Sequence, residues 1–220
     1  MACTGRAEAM DAFFDARADG YDDHMRANVA GFDAFYRAAA RAIETSSPVE
    51  SILDLGIGTG LELAAVFERI PQAQVTGIDL SQGMIDQLQQ RYADRSAQIR
   101  LIHGSFFDID LGTAEYDATI SVMALHHWLP EVKIELYRRI RLALHPGGVF
   151  VNADYIVDGD EALRLRTQHP DAGAFDREGL RHIDIPCSAD EEREILLRAG
   201  FSRVKVSFAT DRSAVIAARS

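Results

Sequence analysis

Seven consecutive residues carry the clearest chemical signal in the sequence: Asp54-Leu55-Gly56-Ile57-Gly58-Thr59-Gly60. They stand between an apolar run that reads as a strand, 51–55, and a segment that reads as a helix, 61–70. Glycines at such a junction let the backbone turn tightly and approach a ligand without interference from a Cβ. The free N–H groups at the start of the following helix favour an anionic group above the loop. Asp79 closes the next predicted strand, 19 positions beyond Gly60. A carboxylate there can accept hydrogen bonds from both hydroxyls of a ribose. Loop and acid together describe a site for a nucleoside-bearing cofactor.

A second group of reactive side chains follows the fourth predicted strand, in Leu125-His126-His127-Trp128. One histidine can act as a base near neutral pH or contact a substrate. The same run can instead pack and cap, and that second reading is preferred. A metal centre is not expected, because neighbouring histidines do not easily face one ion and no third ligand is evident. Tyr21 can close over a cationic centre or sit in the core as a helix-end tyrosine. Asp154 and Tyr155 end the fifth strand and can line an acceptor pocket; Asp154 can equally cap a turn. His169 and His182 are expected to be solvated. Phe13, Phe14, Phe32, Phe35 and Tyr36 read mostly as helix-packing residues.

These groups need a scaffold, and the hydrophobic rhythm supplies one. Two N-terminal helices are expected, over 7–18 and 27–44, with Gly20 breaking the first. Strands at 51–55, 74–79, 99–102, 116–122 and 149–157 alternate with helices at 61–70, 82–94 and 132–144, with Met84, Ile85 and Leu88 facing inward. That alternation implies a parallel sheet covered on both faces. A helix at 189–199 ends at Gly200. Two strands, 204–208 and 214–218, flank Thr210-Asp211-Arg212 as an antiparallel hairpin. The polar segment 158–188 reads as an insertion or lid.

The chain has 220 residues, 47% hydrophobic and 26% charged, with a net charge of −11. That composition suits a globular protein. The acidic balance argues against broad affinity for nucleic acid or anionic membranes. Cys3 and Cys187 do not make a disulfide framework or a cysteine-based zinc site. The N-terminus lacks the apolar stretch of a signal peptide, and no run is long enough to span a bilayer. The expectation is a cytoplasmic enzyme or binding protein, monomer or homodimer.

The glycine spacing departs from the dinucleotide pattern G-x-G-x-x-G. With Asp54 ahead of Gly56, Gly58 and Gly60, it resembles the first motif of the class I S-adenosylmethionine-dependent methyltransferases. Ile102-His103-Gly104-Ser105-Phe106, Tyr116-Asp117-Ala118 through Ser121, Leu144-His145-Pro146-Gly147-Gly148 and Ala199-Gly200-Phe201 look like later segments of that family. So does Phe13-Phe14-Asp15 through Tyr21-Asp22, which is similar to the leading segment of small bacterial members such as quinone-biosynthesis C-methyltransferases. The match covers roughly residues 50–155 and 190–220.

The resemblance implies one domain over 1–220: a helical cap over 1–46, a cofactor core over 47–157, an insertion over 158–188, and a C-terminal helix and hairpin over 189–220. It implies a Rossmann-like, mostly parallel seven-stranded α/β sheet with an antiparallel C-terminal hairpin and helices on both faces. S-adenosylmethionine would lie against Asp54, Gly56, Ile57, Gly58 and Gly60, with Asp79 on the ribose. Leu80, Met84, Ser105 and Phe106 would lie near the adenine, with Ser105 where the family usually has Asp and Asp108 able to substitute. Ser121 and Tyr21 would border the methyl group. The implied activity is in-line methyl transfer to a small-molecule acceptor, with no nucleic-acid or membrane partner. The alternatives are an NAD-dependent oxidoreductase, a non-catalytic S-adenosylmethionine sensor and a modified-donor synthase.

Overall fold

A computed structural model describes residues 8–169 and 180–220. Five strands run in the order the sequence rhythm suggests: β1 (Ser51–Leu55), β2 (Gln74–Asp79), β3 (Ile99–His103), β4 (Tyr116–Val122) and β5 (Leu144–Tyr155). The hairpin of β6 (Ser202–Ala209) and β7 (Ser213–Arg219) completes one seven-stranded sheet, ordered β3-β2-β1-β4-β5-β7-β6. β1 to β5 pair in parallel, whereas β7 is antiparallel to both β5 and β6. The expected mixed sheet with its terminal hairpin is therefore present.

The strand pleat sends alternate residues to opposite faces. Ile52, Val151 and Val215 join one buried cluster with Phe35, Tyr36 and Ala39 of a helix at Phe32–Ala42, and with Val66 and Phe67 of another at Leu63–Arg69. Leu53, Phe150 and Ile216 join a second cluster, with Leu136, Tyr137 and Ile140 of the helix Pro130–Ala143 and Ile195 and Leu196 of the helix Ala189–Arg198. Burial on both faces is what makes these strands near-continuous apolar runs. Met84, Ile85 and Leu88 are the buried side of the helix Gln82–Arg91, as expected. Among the described residues, no helix is long and apolar enough to cross a membrane.

Four expectations need correction. The N-terminal region forms three helices, Met10–Asp15, Tyr21–Asn28 and Phe32–Ala42. The first helix ends at Asp15, short of Gly20, which opens the second, and the expected helix 27–44 is broken at Gly31, in the left-handed conformation (φ +65). The sixth helix stops at Ala143, and β5 begins immediately at Leu144, so Pro146-Gly147-Gly148 lies within the strand. The described part of segment 158–188 holds more than weak helical pieces: Asp158 caps a helix over Gly159–Gln168 by accepting the Glu161 amide at 2.8 Å. Residues 170–179 and Cys3 lie outside the described residues.

The chain order reverses direction between β1 and β4. Loops leaving the two strands there splay apart, and ligands of open α/β sheets bind in that crevice, beyond the carboxyl ends of the strands. Both reactive groups singled out in the sequence, the glycine loop after β1 and the histidines after β4, fall at this point.

Candidate active site

The glycine loop is tied to β2. The amides of Gly56 and Ile57 donate to the Ile78 carbonyl at 2.8 and 3.2 Å. Gly58 donates to Asp79 Oδ2 at 2.7 Å, and the Ser81 amide donates to Asp79 Oδ1 at 2.9 Å. Burial raises the Asp79 pKa, and these backbone donors oppose that rise. Gly56, Gly58 and Gly60 all have positive φ, at 73°, 52° and 72°. A Cβ on Gly56 would lie 2.5 Å from the Ala124 Cβ, so this glycine lets the two loops at the switch point touch. A Cβ on Gly58 would meet only the Gly56 carbonyl oxygen, at 4.0 Å, and would project into a cleft.

That cleft, about 70 Å³, is lined by Gly56, Gly58, Asp79, Leu80, Met84, Ser105, Phe106 and Tyr21, all residues expected near the cofactor. Met10, Phe14, Met123, Ala124, His127, Trp128 and Leu180 complete it. Four of the expected cofactor residues do not line it. Ile57 is buried beneath the loop, against Gly77. Gly60 packs on Leu63, Leu88 and Tyr92. Ser121 is buried and donates to the Leu55 carbonyl at 2.7 Å. Asp54 is fully buried and faces Glu62. Asp108 is exposed and does not line the cleft either. Ser105 Oγ accepts the Phe107 amide at 3.2 Å, so the serine also shapes its own turn.

The N-terminal helices lie over the cleft through three aspartates. Asp15 accepts from Ser81 Oγ and from the Gly83 amide at 3.0 Å. Those donors hold its pKa below the ordinary carboxylate range. Asp19 accepts from Gln87 at 2.8 Å. Asp22 accepts from Thr59 Oγ1, in the glycine loop itself, at 2.7 Å and pairs with Arg91.

A larger cavity of about 810 Å³ adjoins the cleft and shares Phe14, Tyr21, Met123 and His127 with it. Met123 closes β4 with φ +54, a left-handed conformation that an unbranched L side chain adopts only at some cost. On the far wall stand His126, Tyr155, His182, Asp184 and Arg212. Asp154 Oδ1 lies 2.7 Å from His126 Nδ1, and its Oδ2 accepts the Leu125 amide at 3.0 Å. Burial opposes charge on His126, but Asp154 lifts its pKa above the ordinary value. Burial and the neighbouring His126 push His127 down to about 4, so it is neutral at physiological pH. Asp154 therefore orients the His126 imidazole and caps a turn at once.

Two sequence expectations fail here for the same reason. His182 was expected in solvent, yet its ring stacks on Phe13 at 3.5 Å. A third polar partner for the paired histidines was not evident, yet Asp184 Oδ1 lies 3.1 Å from His127 Nδ1 and 3.6 Å from His126 Nε2. Both follow from residues 180–185 folding back over the site. They bridge Ala9 through Arg181, and the Ile185 amide donates to the His126 carbonyl at 2.9 Å. His169 is exposed, as expected. Met123 and Ala124 carried no signal in the sequence beyond their place after β4, and Asp184 none beyond its place in the polar segment 158–188.

Residues 52–148 match a family model described as a methyltransferase domain. A carboxy-S-adenosyl-L-methionine synthase of Campylobacter fetus is 28% identical over 174 residues, 74% of this chain and 74% of that protein. Two solved structures resemble the whole fold. One is a DhpI complex with SAM and HEP, at 23% identity and TM-score 0.68, covering 95% of this chain and 94% of that one. The other is human N-acetylserotonin methyltransferase in complex with SAM, at 19% identity and TM-score 0.68. It is matched over 95% of this chain, which spans only 56% of the human enzyme's length. Residues 52–148 thus match a methyltransferase domain, in a chain whose strand order and glycine loop resemble those of the class I S-adenosylmethionine-dependent methyltransferases.

Proposed function

We propose that this chain transfers the methyl group of S-adenosylmethionine to a small molecule bound in the 810 Å³ cavity. The observation that carries the proposal is the shared wall. The cleft at the glycine loop and the histidine-lined cavity meet at Phe14, Tyr21, Met123 and His127. A donor in one and an acceptor in the other would face each other across that wall.

The residues present offer the groups the donor needs, and the 70 Å³ cleft must widen towards the adjoining cavity to hold it whole. Gly58 leaves open the space that a Cβ would fill, and Asp79 stands beside it with its carboxylate fixed by two amides. In this proposal Asp79 holds the ribose, while Leu80, Met84, Ser105 and Phe106 enclose the adenine. Tyr21 covers the sulfonium region, where an aromatic face favours a cation. Asp54, Ile57, Gly60 and Ser121 act beneath the loop, by shaping it.

When bound, S-adenosylmethionine supplies an electrophilic methyl group on a sulfonium. The chain's part is positioning: an acceptor held in line with that methyl reacts with a barrier lower by about 7–11 kcal/mol. The N-terminal helices and residues 180–185 cover the cavity and limit water. His126, oriented by Asp154, stands on the wall of the cavity that would hold the acceptor.

Calorimetric titration with S-adenosylmethionine, and with NAD as a control, tests the donor assignment. A metabolite pool incubated with methyl-labelled donor then tests transfer. Binding of NAD without response to S-adenosylmethionine would sink the proposal. The Campylobacter relative favours a second reading, in which the chain makes a modified donor. Mass spectrometry of the donor after incubation separates the two, because that reading requires a heavier, carboxylated donor and no methylated acceptor.

A further inference from the structure

We propose that His126 Nε2, His127 Nδ1 and Asp184 bind one divalent transition-metal ion at the cavity wall, of the zinc, cobalt or iron(II) type.

One ligand atom from each of the three residues falls within 4.8 Å of the other two. Asp184 Oδ1 lies 3.1 Å from His127 Nδ1 and 3.6 Å from His126 Nε2. An ion with bonds of about 2.0–2.2 Å in tetrahedral geometry separates its ligands by roughly 3.3–3.6 Å. The cluster is thus already close to the spacing that binding needs.

The second observation is orientation. Asp154 grips His126 Nδ1 at 2.7 Å and is itself held by the Leu125 amide at 3.0 Å. The ring is held with Nε2 on the side of Asp184, 3.6 Å from its Oδ1. A carboxylate behind a ligating imidazole is the arrangement that fixes tautomer and ring angle in metal sites. His127 Nδ1 also lies 3.2 Å from the Ile183 carbonyl, so without an ion its proton is shared with Ile183 and Asp184. The ion takes that proton's place.

Ligand chemistry sets the class of ion. Two imidazoles and one carboxylate suit borderline first-row ions, whereas magnesium and calcium prefer oxygen ligands. Three protein ligands leave a position open to the cavity, as in catalytic rather than structural sites. If the cavity holds the acceptor, as proposed above, an oxygen of that acceptor would take this position.

The test uses the full chain, stripped with chelator and titrated with Co2+ alone. The expected result is a visible d–d band saturating at one ion per chain and bleached by Zn2+. His127→Ala and Asp184→Asn should each weaken Co2+ binding at least about tenfold, and Asp154→Asn roughly ten- to a hundredfold. His169→Ala should leave it unchanged. Asp184 is half exposed in its side chain, so Asp184→Asn keeps the test informative if a histidine variant fails to fold. No band from the wild-type chain, or unaltered affinity in Asp184→Asn, overturns the site. The readout needs neither donor nor acceptor, so its failure leaves the methyl-transfer proposal standing.

Discussion

Asp79 reaches back over the glycine loop and takes the Gly58 amide on Oδ2 at 2.7 Å. The carboxylate is therefore in place before any ligand arrives, and the loop amide is held with it. Charge-assisted bonds from a ribose to such a fixed acceptor contribute about 1.5–3 kcal/mol. Asp79→Ala should raise the dissociation constant for S-adenosylmethionine roughly 10- to 150-fold, read by calorimetry. Unchanged affinity would refute the ribose role proposed for Asp79.

Two glycines of the same loop should fail in different ways when replaced by alanine. At Gly56 the new Cβ meets Ala124 at 2.5 Å, in addition to a left-handed backbone at φ +73. The backbone term alone is about 1–2 kcal/mol, and the clash adds to it. A chain of this size loses roughly 2–4 °C of Tm per kcal/mol. At Gly58 the added methyl meets nothing closer than 4.0 Å and enters the cleft. Gly56→Ala should therefore show the larger drop in Tm. Gly58→Ala should show the smaller drop, together with loss of donor binding.

The glycine loop and its acidic partner were legible because one βαβ unit contains both. Loop and acid belong to neighbouring strands, and their spacing is fixed by a crossover whose length varies little. The cavity side was not legible. Asp184 meets His126 and His127 only because a polar segment folds back across the loop after β4, and no local periodicity encodes that return. The stack of His182 on Phe13 depends on the same fold-back. The expected helix over 27–44 failed for a different reason: its break at Gly31 sits inside an Ala-rich stretch that reads as continuous. Asp54 belongs to the first motif but is turned away from the cleft, towards Glu62, a contact that only packing reveals.

Lys133 and Glu192 form a buried pair on the opposite side of the sheet from the N-terminal helix Phe32–Ala42. Lys133 Nζ lies 2.6 Å from Glu192 Oε2, and both side chains are almost wholly excluded from solvent. Glu192 Oε1 accepts from Asn152 at 2.8 Å and from the Tyr137 hydroxyl. Removing one charge from such a pair costs about 3–5 kcal/mol, because the other is left uncompensated. Lys133→Met should lose about that much in urea denaturation. Lys133→Met with Glu192→Gln should recover a large part of it. The amide carries no charge, yet still offers Asn152 and Tyr137 an acceptor.

Asp54 and Glu62 make stability depend on pH. Both are buried, neither Asp54 oxygen nor Glu62 Oε1 meets a donor from a neighbouring group, and the two carboxyls face each other. One proton between them lets one carboxyl donate to the other. Burial raises both pKa values, Glu62 to about 8, against an ordinary value of 4.5 in the unfolded chain. Between those values the folded chain binds more protons than the unfolded chain, so stability falls as pH rises. The fall begins as the unfolded carboxyl ionises and is complete only above about 8. Glu62→Gln keeps a donor for Asp54 and removes the titration of Glu62, leaving only that of Asp54. The wild-type Tm should therefore drop between about pH 5 and about pH 8, and that of Glu62→Gln should drop less, leaving the variant a few degrees more stable at the alkaline end. Parallel Tm curves for the two chains would show that the carboxyls do not share a proton.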